Sequence, residues 1–302
     1  MIPAASRERC IGLACAYSVL IIWAGFILVS RFSAKGVLTS WDMAALRYLG
    51  AFLAVLPIAL RHGWPRMQPG QAVVIVGAAA FGFPLLAFAG FQFAPASHGG
   101  VMLPGTLPLQ TALLLWLVLG ERWTRGGVAS LGLVLLGVIL LARDTFGEHP
   151  GAWRGDLLLL GGSFSWAIFT LMVRIWRIPA LQATLAIALF AAPVYLPIWL
   201  AFLPSRLGAA PVGEVLFQLA YQGGLAVVVA GFLFTRALTA LGPTVLTTIT
   251  SVVPALTALA AWPLLDEPLG PGGLVGVGLV TAAMLIGVAR ARAAGPPSSA
   301  PR

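Results

Sequence analysis

The apolar residues of this sequence come in blocks long enough to cross a bilayer as helix, which takes roughly 20 residues each. Only a few charges, prolines or glycines separate each block from the next. Such runs show neither the strand nor the amphipathic-helix period, and they are the signature of lipid-spanning helices. The surface chemistry agrees: 9% of the 302 residues are charged and 60% are hydrophobic, where a soluble domain carries about 25% charged residues to face water. The fold class read from this pattern is an all-α polytopic membrane protein.

Spans are predicted near 10–31, 43–60, 71–94, 97–119, 125–142, 155–175, 182–204, 214–240, 243–265 and 271–289. The breaks hold Arg31/Lys35, Arg61/His62/Arg66, Glu121/Arg122/Arg125, Arg143 to Asp156, Arg174/Arg177, Pro204/Arg206, Gly242/Pro243 and Asp266/Glu267/Pro268. Between the third and fourth spans only Pro95, His98 and glycines mark a turn. The run from Cys10 to Ser30 is too long for a cleaved signal peptide and reads as the first span. With the N-terminus cytoplasmic, and Arg47 set aside inside the second span, the cations divide 12 inside to 5 outside. The positive-inside rule then places both termini in the cytoplasm. The Pro/Ser/Ala-rich stretch 291–302 reads as a disordered cytoplasmic tail.

The chain repeats itself. WAGFILVSR around Trp23 returns as WAIFTLMVR around Trp166, 143 residues on. PLQTALLLWLVLGE from Pro108 returns as PALTALAAWPLLDE from Pro254, 146 residues on, followed in both copies by a double glycine. The expected organisation is residues 1–9 as a cytoplasmic N-terminus, a first repeat over 10–143, a linker at 144–154 and a second repeat over 155–290. Five spans per repeat is an odd number, so the second copy must sit upside down relative to the first. Inverted repeats are the architecture of secondary transporters, with a site near the midplane between the halves.

These features resemble the drug/metabolite transporter superfamily, EamA type, with two such domains. The resemblance rests on Trp23 with Phe26 and their copies Trp166 with Phe169, on Leu46–Arg47, and on the Pro…Glu hairpins ending at Glu121 and Glu267. It covers nearly all of residues 10–290. It implies ten spans in two five-helix repeats, both termini inside, and export of a metabolite by alternating access. Two departures stand out. Phe91-Gln92-Phe93-Ala94 runs into Pro95 at the end of the third span, and the seventh span shows no Leu-Arg.

Candidate site residues follow from polarity inside the spans. Arg47, an intramembrane cation, suits a carboxylate or phosphate group of a substrate, with pairing to Asp42 or snorkelling as the rival role. Taken as one continuous α-helix at about 100° per residue, the eighth span puts Gln218 and Arg236 on one azimuth. Gln222 and Tyr221 lie within about 60° of it, making a polar stripe. By the same arithmetic Ser163, Trp166, Thr170 and Arg174 share a face of the sixth span. Trp23 and Trp166, from opposite halves, could wall a cavity and offer stacking or cation–π contacts. Gln92 and Gln110 are further lining candidates. Pro104, Pro108 and Pro254 each remove a backbone donor and are candidate helix breaks or gates. Glu121 and Glu267 are assigned structural roles at their hairpins. With no Asp or Glu in the middle of a span, His98 is left as the candidate for ion coupling.

Other functions find less in the sequence. The net charge of +9 comes from scattered cations and not from a basic stripe, which argues against nucleic acid. Cys10 and Cys15 are five residues apart, on different helix faces, and suit neither a disulfide nor a metal pair. No metal or cofactor motif appears, and His62, His98 and His149 lie apart, so an embedded enzyme lacks a visible constellation. A non-transporting scaffold would need a loop or domain with which to signal. The partners expected are the bilayer and a small-molecule substrate such as an amino acid or related metabolite. Gly272 and Gly276 offer a small-residue face for packing a helix or forming a homo-oligomer. The Arg-, Ala- and Leu-rich composition fits a bacterial inner membrane.

Overall fold

The structure is a computed structural model that describes residues 4–121, 125–145 and 151–293. Residues 294–302 of the expected tail, residues 146–150 of the expected linker with His149, and Arg122 lie outside the described residues. Every regular element among the described residues is helical.

The first half holds α1 (Ala4–Ala34), α2 (Ser40–His62), α3 (Pro69–Val76), α4 (Phe83–Gly90), α5 (Ala96–Gly100), α6 (Leu107–Leu119) and α7 (Arg125–Thr145). The second holds α8 (Ala152–Ile175), α9 (Ala180–Phe202), α10 (Val212–Gln218), α11 (Ala230–Thr250), α12 (Val253–Leu265) and α13 (Pro271–Ala293). Among the described residues, seven helical runs are long and apolar enough to cross a membrane, and three further apolar helices are shorter. One run, Val212–Thr250, spans 39 residues and is divided at Gly242. There φ is 76° and ψ 167°, followed by Pro243, which has no N–H to continue a helix.

The helix ends follow from local sequence. Thr39 and Asp42 form a reciprocal capping box at the start of α2. The repeat shows most clearly at the ends of α6 and α12. Gly120 and Asp266 both adopt the left-handed conformation, with Gly120 N–H donating to the Trp116 carbonyl and Asp266 N–H to that of Trp262. The next residues, Glu121 and Glu267, donate from their N–H groups to Leu115 and Ala261, so both hairpins close in the same Schellman-like way.

Among the described residues, three π-helical segments interrupt the α-helices: Gly77–Gly82, Val101–Gly105 and Leu219–Val229. The last corrects the stripe expected on the eighth span. A π-helix takes more residues per turn than an α-helix, so 11 residues of it cancel the shared azimuth of Gln218 and Arg236. Gln218 is fully buried, whereas Arg236 reaches the surface.

The two halves are interleaved. Helix α1 packs on α11 and α12 of the second half, and its repeat mate α8 packs on α4 and α6 of the first. Helix α2 crosses α9 and the Leu219–Val229 segment, and α7 lies along α13. Glycine permits the closest approaches. A Cβ on Gly137 would sit 2.6 Å from the Gly276 carbonyl oxygen, and one on Gly276 would sit 2.5 Å from that of Gly137. Gly276 thus packs against a helix of its own chain.

Candidate functional site

A cavity of about 400 Å³ lies between the two halves. Its walls come in repeat-equivalent positions. Trp23 and Phe26 of α1 face it from one side, and Trp166 and Phe169 of α8 from the other. Leu107 and Val253, the first residues of α6 and α12, are a third such pair at the 146-residue offset. Each π-helical segment also contributes: Ala79 from the first, Leu103 and Pro104 from the second, Ala226 and Val227 from the third.

Aromatic contacts set the two tryptophan walls. Trp23 stacks on Phe234 with ring centroids 5.5 Å apart. Trp166 lies 5.0 Å from Phe83 and 4.8 Å from Phe169. These contacts fix the rings as walls, in the offset and tilted arrangements that aromatic quadrupoles favour.

Arg47 is the charged residue in the cavity wall. Its guanidinium donates to the Gln222 carbonyl at 3.2 Å and lies 5.1 Å from the centre of the Phe26 ring. Asp42, the alternative partner considered from sequence, is engaged elsewhere. It accepts from the Thr39 hydroxyl, Ser205, the Arg206 N–H and the Trp199 indole. The structure also supplies the counterpart of Arg47 that the sequence did not display. Helices α2 and α9 are both 23 residues long and start 140 residues apart, with Pro57 and Pro197 at matching places. That register pairs Arg47 with Ile187, which lines the same cavity.

The expected site residues divide accordingly. Trp23, Arg47, Pro104, Trp166 and Thr170 converge on the cavity. Gln218 and Gln222 instead form a buried cluster beside α1, where the Gln222 side-chain amide donates to Ser30 Oγ at 3.3 Å. Tyr221 donates to the Ile22 carbonyl. Gln110 bridges α6 to α8 through the Leu160 carbonyl, and Gln92 is exposed in the turn after α4. Pro108 and Pro254 sit in the first turn of α6 and α12, so each helix breaks just before its proline and not at it. Arg236 pairs with Glu8 at 2.5 Å, outside the cavity lining.

Beyond the cavity the ends of the bundle differ. At one end Arg31 Nε meets Glu267 at 2.7 Å and Lys35 meets the same carboxylate at 3.0 Å. Arg31 also donates to the Phe91 carbonyl, and the Ala96 N–H donates to Glu267. Close by in sequence, fully buried His98 pairs with Asp156 at 2.6 Å. The repeat mates of Arg31 and Glu267 are Arg174 and Glu121, and they too pair, at 2.9 Å. Here both side chains are about half exposed, at 57% and 47%, against 10% and 5% for the buried pair. The cavity residues Thr170 and Thr235 are also exposed. Sequence reasoning treated Arg31 and Arg174 as boundary charges, and the 143-residue offset was the available sign of their equivalence.

A model of the EamA-like transporter family matches residues 10–143 and again residues 153–288. No curated protein matches. Twenty-seven chains of solved structures match. One, described only as a crystal structure of a protein, superposes with a TM-score of 0.64 at 20% identity, over 96% of this chain and 99% of its own. That likeness concerns the fold. The duplicated family match agrees with the duplicated helix ends, tryptophan walls and ion pairs, and the chain belongs to the EamA-like transporter family.

Proposed function

We propose that the protein is a ten-span secondary transporter of two inverted repeats that moves a small organic metabolite, in the export direction, by alternating access through the central cavity. A bacterial inner membrane with both termini cytoplasmic is the setting that its cations and composition support. The observation that carries the reading is the cavity itself, walled by Trp23 and Trp166 from equivalent places in the two halves. Its volume of about 400 Å³ lies within the range of small-molecule sites.

The two Arg–Glu pairs support alternating access in particular. In an inverted repeat the same contact recurs at opposite faces of the membrane. The Arg31–Glu267 pair is buried and ties α1 to the end of α12, while Arg174–Glu121 ties α8 to the end of α6 and is exposed. Both pairs are formed and they differ in burial; the buried pair marks the closed face and the exposed pair the face that water reaches, and transport exchanges those surroundings. The lining residues Thr170 and Thr235 are exposed and close in sequence to Arg174 and Arg236, and this supports reading the cavity as open on that side.

The test is counterflow in proteoliposomes loaded with a pool of unlabelled metabolites. Saturable uptake of a labelled member is expected, with a loss of at least about tenfold in Trp23→Ala and in Trp166→Ala, since each removes one aromatic wall. Flux that is undiminished in both folded variants would remove the cavity from the transport path.

A further inference from the structure

Among the cavity-lining residues Arg47 is the one that carries a charge, and no Asp or Glu stands with it. Arg47 is 8% exposed. An arginine keeps its proton in a protein and offers five N–H donors in a fixed fork. One donor reaches the Gln222 carbonyl, and the Phe26 face gives partial compensation. No ion pair to Arg47 occurs among the described residues, and Asp42 is held by four other residues, Thr39, Trp199, Ser205 and Arg206. A buried cation without a counter-charge is costly, and this one belongs to a residue that lines the cavity.

The rest of the lining agrees. At the repeat-equivalent position stands Ile187, and the hydroxyls of Thr170, Thr184 and Thr235 are neutral. The cavity therefore presents one fixed positive charge between two aromatic walls and has no carboxylate to meet an ammonium group.

Resting on the transporter reading above, we propose that the solute is an organic monoanion. Its carboxylate is held by the Arg47 fork and its apolar or aromatic body lies between the Trp23 and Trp166 walls. A zwitterionic amino acid, the solute class suggested by the sequence, is a weaker ligand, because its ammonium would find aromatic faces and neutral hydroxyls but no carboxylate among the lining residues. Arg47 is then the residue that selects charge, and the tryptophan walls select shape.

Four probes that share an indole ring separate these possibilities: indole-3-acetate, neutral indole-3-acetamide, zwitterionic tryptophan and cationic tryptamine. Binding to the detergent-purified full chain is measured by equilibrium dialysis, which does not depend on transport. Indole-3-acetate is expected to bind at least about tenfold more tightly than each of the other three. Arg47→Gln should erase its advantage over the acetamide, and Arg47→Lys should keep some of it, because lysine retains the charge without the fork. Should Arg47→Gln fail to fold, Ile187→Glu serves in its place. It adds the missing carboxylate to the cavity lining and should turn the preference from indole-3-acetate towards tryptophan.

The proposal is overturned if indole-3-acetate binds no better than the acetamide or tryptophan. It is equally overturned if the advantage survives Arg47→Gln, or if no probe binds folded protein. Selective anion binding without counterflow would instead sink the transporter reading and leave the anion site standing.

Discussion

Exchange of Glu267 for glutamine is expected to cost the purified protein about 3–5 kcal/mol of stability, and the same exchange at its repeat mate Glu121 less than about 1 kcal/mol. The chemistry is identical and the surroundings are not. Glu267 is 5% exposed and meets Arg31, Lys35 and the Ala96 N–H. Its loss leaves Arg31, which is 8% exposed, without a counter-charge. Glu121 and Arg174 are about half exposed, so water replaces each partner. Denaturant titration of the two variants in detergent checks the difference, and equal losses would contradict the unequal burial.

The pH dependence of the Glu267 effect has a definite sign. Burial pushes its carboxyl up, but the Ala96 N–H, the Arg31 charge and hydrogen bond, and the Lys35 hydrogen bond together hold it below its ordinary value of 4.5. A carboxylate lowered in the folded state contributes in full above its unfolded pKa and is lost as the pH falls through the lower folded one. The stability gap between wild type and Glu267→Gln should stay level from neutral pH down to about 5 and close only below about 4.5.

The second large effect is steric. Gly223→Ala should lower stability by about 3 kcal/mol or more, while Gly224→Ala, one residue on, should be nearly neutral. A Cβ on Gly223 would lie 2.6 Å from both the Arg47 carbonyl oxygen and the Gly50 carbonyl carbon. These are backbone atoms of α2, which can yield only if the helices move apart. Gly224 has nothing within 4 Å of the same position. Since the Gln222 carbonyl that receives Arg47 is adjacent, the Gly223 variant should also weaken anion binding. Thermal unfolding of both variants, with dialysis of any folded Gly223→Ala, provides the check.

The apolar blocks and the Trp, Pro and Glu repeats made the membrane class and the duplication legible in the sequence, because both depend on residue identity along the chain. Trp23 and Trp166 were legible as opposing walls for the same reason. Three further features were hidden. The π-helical turn at Leu219–Val229 rotated Gln218 and Arg236 apart, and the sequence marks it with little more than Gly223 and Gly224. The equivalence of Arg47 and Ile187 required the 140-residue register of α2 and α9, which differs from the offsets seen elsewhere. The partners of His98 and Glu267 come from 58 and 236 residues away along the chain, beyond the reach of local spacing.

If the protein works by the alternating access proposed above, the unequal ends of the bundle also set the rhythm of its cycle. Glu267 is met by both Arg31 and Lys35, whereas Glu121 has Arg174 and, in the place equivalent to Lys35, the uncharged Ile178. The lock at one face has two bolts and its mirror image has one. An empty carrier of this kind dwells with the stronger lock shut, and the unloaded return step becomes the slow one. In such a cycle, exchange of solute for solute, which skips that step, is expected to run faster than net flux.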